Sequence, residues 1–247
     1  MAALVDLEPV LRRRGVSEFQ LNSFAYNGAS PIPLVPLGYA ETARFEFALS
    51  LDQGTDAVWR GVRSTLRNDI RRFERSGVVC RVRSDRGVVS ALHGIELETA
   101  ARHRARGKQG NPMREATYEA LWETLVKPGR VRVYLAERDG VPIASVVIGV
   151  CGANAYYLYG GAITDGLSLN APKGLLWFAI QQEYAEGVRE FNLGGMSATA
   201  ADPSSLDHGL YKFKTGFGAV ERSCISGRKV LRPLLVTVQA RLRGVFR

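Results

Sequence analysis

Cysteine is scarce. Cys80, Cys151 and Cys224 are the only three in 247 residues, far apart and without a CxxC pair. Thiols this sparse exclude a disulfide scaffold and fit a reducing compartment. Histidine is as rare. His93, His103 and His208 show no HExxH or other metal-ligand spacing, so no structural metal is expected. Long hydrophobic runs are missing, and no stretch has the uninterrupted apolar length of a membrane-spanning helix. The opening MAALVDLEPVLRRRG has no long apolar segment and carries its arginines after the apolar residues, so no secretory leader is expected. These absences predict a cytoplasmic protein. Acidic residues are in deficit: 24 Asp and Glu face 33 Lys and Arg, for a formal net charge of +9 and a pI of about 9.7. The excess points to a polyanionic partner, whether nucleic acid, a nucleotide-linked substrate or an anionic membrane surface.

What is present supports a folded chain. Hydrophobic residues make up 46%, enough for a substantial core. GASPIPLVPL, residues 28–37, reads as a proline-rich connector. RFEFALSL, residues 44–51, alternates like a strand. In DAVWRGVRSTLRNDIRRFERSG, Val58, Val62, Leu66, Ile70 and Phe73 recur at helical spacing, and Gly77 follows as a stop signal. The other face of that predicted helix carries Arg60, Arg63, Arg67, Arg71, Arg72 and Arg75. Such a face is either solvated or phosphate-binding. A short strand, VVCRVRS, precedes two more helices. Residues 131–163 then read as a three-stranded meander with turns at Asp139-Gly140 and Gly152-Ala153-Asn154. Asn170 is the expected cap of a helix with Pro172 in its first turn, and REFNLGG follows as a strand.

HGLYKFKTGFGAVE, residues 208–221, alternates lysines with aromatic residues. That alternation predicts an edge strand with Lys212 and Lys214 on one wet face. Either these are ordinary surface lysines, or one handles phosphate or a developing negative charge.

Four pieces now stand in order: STLRNDIRRFERSGV, RDGVPIASVVIGVCGANAYYLYGGA, APKGLLWFAIQQEYAEGVREFNLGG and GLYKFKTGFGAVE. Together they resemble the Fem-type aminoacyltransferases of the GNAT superfamily, from about Arg44 to Glu221. The resemblance implies an α+β, GNAT-like acyltransferase fold with a mixed, largely antiparallel central sheet flanked by helices. It implies transfer of an aminoacyl group from aminoacyl-tRNA to an amine, in a peptidoglycan precursor stem peptide or a small natural-product amine. Relatives on the fold that use a coenzyme A thioester give the alternative. A non-catalytic RNA- or membrane-binding derivative is a third reading. Fem-type enzymes usually carry two GNAT-like domains, whereas some forty residues precede RFEFALSL. The expected division is a reduced first domain or connector at 1–43, a catalytic domain at 44–227 and a basic tail at 228–247. The tail is a candidate for peripheral contact with an anionic membrane. No cofactor is expected beyond the co-substrate.

Aminoacyl transfer to an amine needs oxyanion stabilisation and alignment more than a protein nucleophile. The Phe213-Lys214 pair matches the family's active-site Phe-Lys motif, which implies an electrostatic role for Lys214. His208, beside Asp207, is the candidate general base. Tyr157, Tyr159, Tyr211, Lys212, Lys173 and Gly174 are candidate substrate-binding residues. Lys173 and Gly174 stand at a helix start that favours anions. Arg67, Arg71 and Arg72 match the family's R-N-x-x-R helix and are candidate tRNA phosphate contacts.

Overall fold

The computed structural model describes residues 2–23, 34–107, 110–196 and 199–233. Its first elements are α1 (Ala2–Arg13), β1 (Glu18–Asn22), β2 (Ala40–Ser50), α2 (Thr55–Gly61) and α3 (Ser64–Glu74). Next come β3 (Val79–Arg83), α4 (Gly87–Ala105) and α5 (Glu115–Leu121), which runs on as a π-helical turn, Trp122–Val126. The meander is β4 (Val131–Arg138), β5 (Val141–Cys151) and β6 (Asn154–Ala162). Last are α6 (Thr164–Ser168), α7 (Ala171–Ala185), β7 (Glu190–Gly195), α8 (His208–Gly216) and β8 (Val220–Val230).

Two compact units share the chain. One is Phe47–Glu221; the other is drawn from Met1–Glu46 and Arg222–Arg247. In the first, the strands lie in the order β2-β7-β6-β5-β4-β3. The pairings from β3 through β6 are antiparallel, and β6 with β7 is parallel. This is the mixed, largely antiparallel sheet that the resemblance implies. Alternation along β4 explains the two cores, since successive side chains leave a strand on opposite faces. Tyr134 and Ala136 join the core containing residues of α2, α3 and α7. Val133 and Leu135 join the core containing residues of α4 and α5. In the second unit β1 pairs antiparallel with β8, from Glu18 opposite Val230 to Asn22 opposite Ser226. Lys229 there donates to the Leu37 carbonyl at 2.8 Å and reaches Glu8. Most of the predicted connector, and residues 234–247 of the basic tail, lie outside the described residues.

Two readings of the sequence need correction. The single helix expected across residues 56–76 is two helices. Val62 and Arg63 are extended at ψ 131° and 141°, and the Arg63 N–H bonds the Gly216 carbonyl at 2.8 Å. A tertiary hydrogen bond wins over continued helical periodicity. The second correction concerns residues 208–216, which form helix α8 and not a strand. Tyr211, Lys214 and Phe217 fall on its inner face at helical spacing, with Lys214 and Phe217 buried. The alternation misled because Lys214 counts as polar in the sequence but occupies a core position.

Candidate active site

Strands β6 and β7 pair only from Asn154–Tyr156 to Glu190–Asn192. Beyond that point they have no paired residues, and a cleft of about 1010 Å³ opens beside β6. Tyr157, Gly160 and Gly161 of β6 line it, with Thr99 and Arg102 of α4 and Phe213 of α8. A register shift puts Val147 opposite Tyr159 but Ile148 opposite Tyr157, leaving Leu158 as an extra residue in β6. In a regular strand the two tyrosines would share a face. The bulge separates them. Tyr157 packs with the α7-side core and lines the cleft, while Tyr159 packs with the α4-side core. Burial pushes the Tyr157 phenol up to about 12, so it is a neutral hydrogen-bonding group at ordinary pH.

Lys214 is 4% exposed, and its Nζ donates to the Gly195 carbonyl at 2.7 Å. The end of β7 is shaped for this contact. Gly194 has φ +78°, a conformation side chains rarely adopt, and its N–H bonds Asn192 Oδ1 at 2.7 Å. A Cβ on Gly194 would lie 3.5 Å from each of Lys214 Nζ, the Tyr156 hydroxyl and the Tyr157 carbonyl. These groups therefore gather where β6 and β7 part. Asn192, Gly194 and Tyr156 were not foreseen. The signal available was NLGG at a strand end, an amide and, after Leu193, two residues without side chains.

The other candidates are spread around this point. Phe213 lines the main cleft, packs edge-on against Phe217 with centroids 5.3 Å apart, and also lines a smaller pocket of about 250 Å³. That pocket brings together Lys212, Lys173 and Arg63 with Asp69. Lys173 is paired there: its Nζ donates to Asp69 Oδ2 at 2.7 Å and to Asn170 Oδ1 at 2.9 Å. Asn170 makes no side-chain cap to α7. Gly174 has a packing reason for its missing side chain. A Cβ there would stand 1.8 Å from Phe73 Cδ1, so the glycine lets α7 close on α3. Tyr211 packs edge-on against Phe47 at 6.1 Å. His208 stacks on Tyr211 and places Nδ1 3.3 Å from the Ala200 carbonyl oxygen; neither cavity wall includes it.

The three arginines of α3 differ in their surroundings. Arg67 donates to the Trp59 and Arg60 carbonyls at 3.3 and 3.1 Å, capping α2. Arg71 is exposed, with its guanidinium 5.7 Å from the Trp59 ring centroid. Arg72 is exposed. Among the described residues no His, Cys, Asp and Glu cluster has metal-binding geometry, and no helix is long and apolar enough to cross a membrane.

The comparisons with known proteins agree with this architecture. The family model described as an acetyltransferase (GNAT) domain matches residues 60–214. No curated protein matches the sequence. Among solved structures, FemX is similar with a TM-score of 0.75 at 12% identity, over 96% of this chain and 78% of that one. The C-terminal domain (DUF2156) of a proposed lysylphosphatidylglycerol synthetase from Agrobacterium fabrum gives 0.60 at 15% identity, over 96% and 76%. L-PGS from Bacillus licheniformis gives 0.53 at 17% identity, over 85% and 68%. At these identities the likeness is one of fold.

Proposed function

This chain belongs to the GNAT acetyltransferase domain family, and from that premise we propose that it moves an aminoacyl group from aminoacyl-tRNA to an amine acceptor. Acyl transfer is the family's chemistry. The buried ammonium of Lys214, in the Phe213-Lys214 pair where β6 and β7 part, is the observation that supports acyl transfer here, although Lys214 lines neither cavity; the aminoacyl donor is the finer reading, supported by the Phe-Lys resemblance. A fixed positive charge in a site sheltered from water favours a developing oxyanion far more than an exposed one does. The acceptor amine attacks the ester carbonyl directly. A C–N bond forms, the carbonyl oxygen becomes the oxyanion, and the C–O bond to the ribose then breaks. The leaving ribose oxygen takes the proton that the amine gives up, so no protein nucleophile is required. Tyr157 and Phe213 wall the cleft and hold the reactants in line. The likeness in fold to FemX and to the lysylphosphatidylglycerol synthetase structures supports this reading. The acceptor class is a stem peptide of a peptidoglycan precursor or a small natural-product amine.

A coenzyme-A-dependent N-acyltransferase is the second reading, favoured by the family's description. Two contacts weigh against it. Asp69 neutralises Lys173, and the Phe73 ring fills the space beside Gly174, so the start of α7 is less open to a pyrophosphate. The deciding experiment incubates the protein with primary amines and either radiolabelled aminoacyl-tRNA or radiolabelled acetyl-coenzyme A. Transfer from the tRNA pool that ribonuclease abolishes supports the proposal. Transfer from acetyl-coenzyme A that survives ribonuclease overturns it.

A further inference from the structure

On the face of the sheet away from Tyr157, two phenols meet in an apolar setting. Tyr118 of α5 belongs to the core that holds Ile95, Val133, Leu135 and Val147, and Tyr159 of β6 packs against it. Both hydroxyl oxygens are buried, and among the described residues none offers either one a hydrogen bond. Tyr118 is 1% exposed. A buried hydroxyl without a partner destabilises a fold, and phenylalanine would fill the same space without that cost. Tyr159 reaches this face only through the extra residue Leu158, an irregularity that disrupts the β5–β6 ladder. Two separate elements thus bring a hydroxyl to a place where the ring alone would pack.

A carboxylate shares the neighbourhood. Glu96 of α4 is half-buried, and its charge acts on both phenols; Tyr118 in turn acts on Tyr159. Burial, and after it Glu96, pushes both phenols well above their usual range, which keeps each a neutral O–H donor. His93 packs on Tyr118 ring to ring, with centroids 5.9 Å apart. Two donors and one acceptor, too far apart to bond directly, suit a small neutral molecule that accepts twice and donates once. Water has this pattern, and a buried water typically makes about three hydrogen bonds to groups otherwise unsatisfied. An anion would meet Glu96.

We infer that Tyr118, Tyr159 and Glu96 hold one buried water, and that this node fixes the bulge of β6 and so aims Tyr157 into the cleft. Tyr118 and Tyr159 donate to the water oxygen, and the water donates to Glu96. The node ties α4, α5 and β6 together. Tyr159 is a positioning residue, because it acts through Tyr157 on the other side of Leu158. The inference does not rest on the transfer reading, since neither the water nor its tests involve an acyl group.

A crystal structure of the whole chain tests the water directly. The expected result is one ordered water within about 3.2 Å of both hydroxyl oxygens and of a Glu96 oxygen. No ordered water there, or hydroxyls bonded to each other or to a protein acceptor, overturns the inference. Melting curves give a second reading. Tyr118→Phe and Tyr159→Phe should each lower the melting temperature by about 3 °C or more, because each strands the other hydroxyl. The double variant should lose less than the sum, because the two share one ligand. Single variants as stable as the wild type, or losses that add, overturn it. Positioning is read by magnetic resonance on protein isotope-labelled at tyrosine Cζ, with the Tyr157 signal identified by its loss in Tyr157→Phe. That signal should move in both Tyr118→Phe and Tyr159→Phe, while the signal of Tyr39 stays in place. A Tyr157 signal unmoved in both variants overturns the positioning role.

Discussion

The ammonium of Lys214 lies 2.7 Å from the carbonyl oxygen of Gly195, joining α8 to the end of β7. One side chain therefore ties a helix to the strand edge where the sheet opens. On the proposed reading, stability and transfer draw on the same residue. Lys214→Met leaves the Gly195 carbonyl without this donor, at a cost of roughly 1–3 kcal/mol for a buried acceptor. Removing a desolvated charge offsets part of that cost. If the ammonium also faces the oxyanion, turnover per folded molecule falls on the order of 10²-fold. Circular dichroism and a melting curve establish the folded fraction, and transfer is measured on that fraction. Full turnover in folded Lys214→Met excludes the electrostatic role.

Lys212 is the natural control, for a reason different from the one its spacing implies. In a strand it would share a face with Lys214. In helix α8 the two point about 200° apart. Lys212 is exposed and lines the smaller pocket. Lys212→Met is expected to change stability by about 0.5 kcal/mol or less. Its transfer defect should be milder than that of Lys214→Met. A defect of equal size would move the reacting groups to the Lys173 side of α8.

The meander and the helix after Asn170 were legible because their signals are local. Strand-like runs broken by turns mark the meander, and Asp139-Gly140 supplies the positive φ values of a tight turn, 51° and 78°. The site was legible only in part. Phe213 and Tyr157 do line the cleft. Lys214 was singled out through its motif, but as a wet strand residue, because nothing in the sequence reveals that a carbonyl across the fold will satisfy a buried ammonium. Tyr157 and Tyr159 look equivalent until the bulge at Leu158 sends them to opposite faces. Lys173 reads as a phosphate ligand until Asp69, 104 residues away in sequence, is found beside it.

Gly174 offers a test of packing against ligand binding. Its missing Cβ would stand 1.8 Å from Phe73 Cδ1. Gly174→Ala is therefore expected to lower stability by roughly 1–3 kcal/mol through overpacking. Adding Phe73→Leu should recover part of the loss. Chemical denaturation of the single and double variants reads this directly. If Gly174→Ala keeps wild-type stability and loses transfer, the glycine serves a ligand and not the packing of α3 on α7.

Glu183 predicts a pH dependence. The carboxyl is 0% exposed; it accepts from the Tyr134 hydroxyl at 2.7 Å and pairs with Arg132. Burial raises it above 4.5, and the Tyr134 and Arg132 interactions offset part of the rise. A carboxyl raised by folding favours the folded state while it stays protonated. That margin is lost as pH climbs past 4.5 and through the raised value, because the folded protein must then ionise a buried group. Glutamine cannot ionise. The melting temperature of the wild type, relative to Glu183→Gln, should accordingly fall as pH rises past 4.5 and through the raised value. A difference that stays constant over that range would mean that the Arg132 pair outweighs burial.

The arginines of α3 are not equivalent, and tRNA binding should show it. Arg67 is committed to the carbonyls that end α2, so Arg67→Gln is expected to lower stability before it affects any partner. Arg71 and Arg72 are exposed, and their removal should leave the fold intact. If the phosphates of the donor lie along this helix, Arg71→Gln/Arg72→Gln weakens tRNA binding. It also flattens the plot of log affinity against log salt, by roughly 0.7–0.9 for each phosphate that is no longer neutralised. Filter binding across a salt series measures both quantities in one experiment. Arg75 serves as the comparison, because its Nε is engaged with the Arg71 carbonyl at 3.2 Å. Unchanged affinity together with an unchanged slope in the double variant would place the donor away from α3. The +9 charge would then act only as a diffuse field that draws polyanions to the surface.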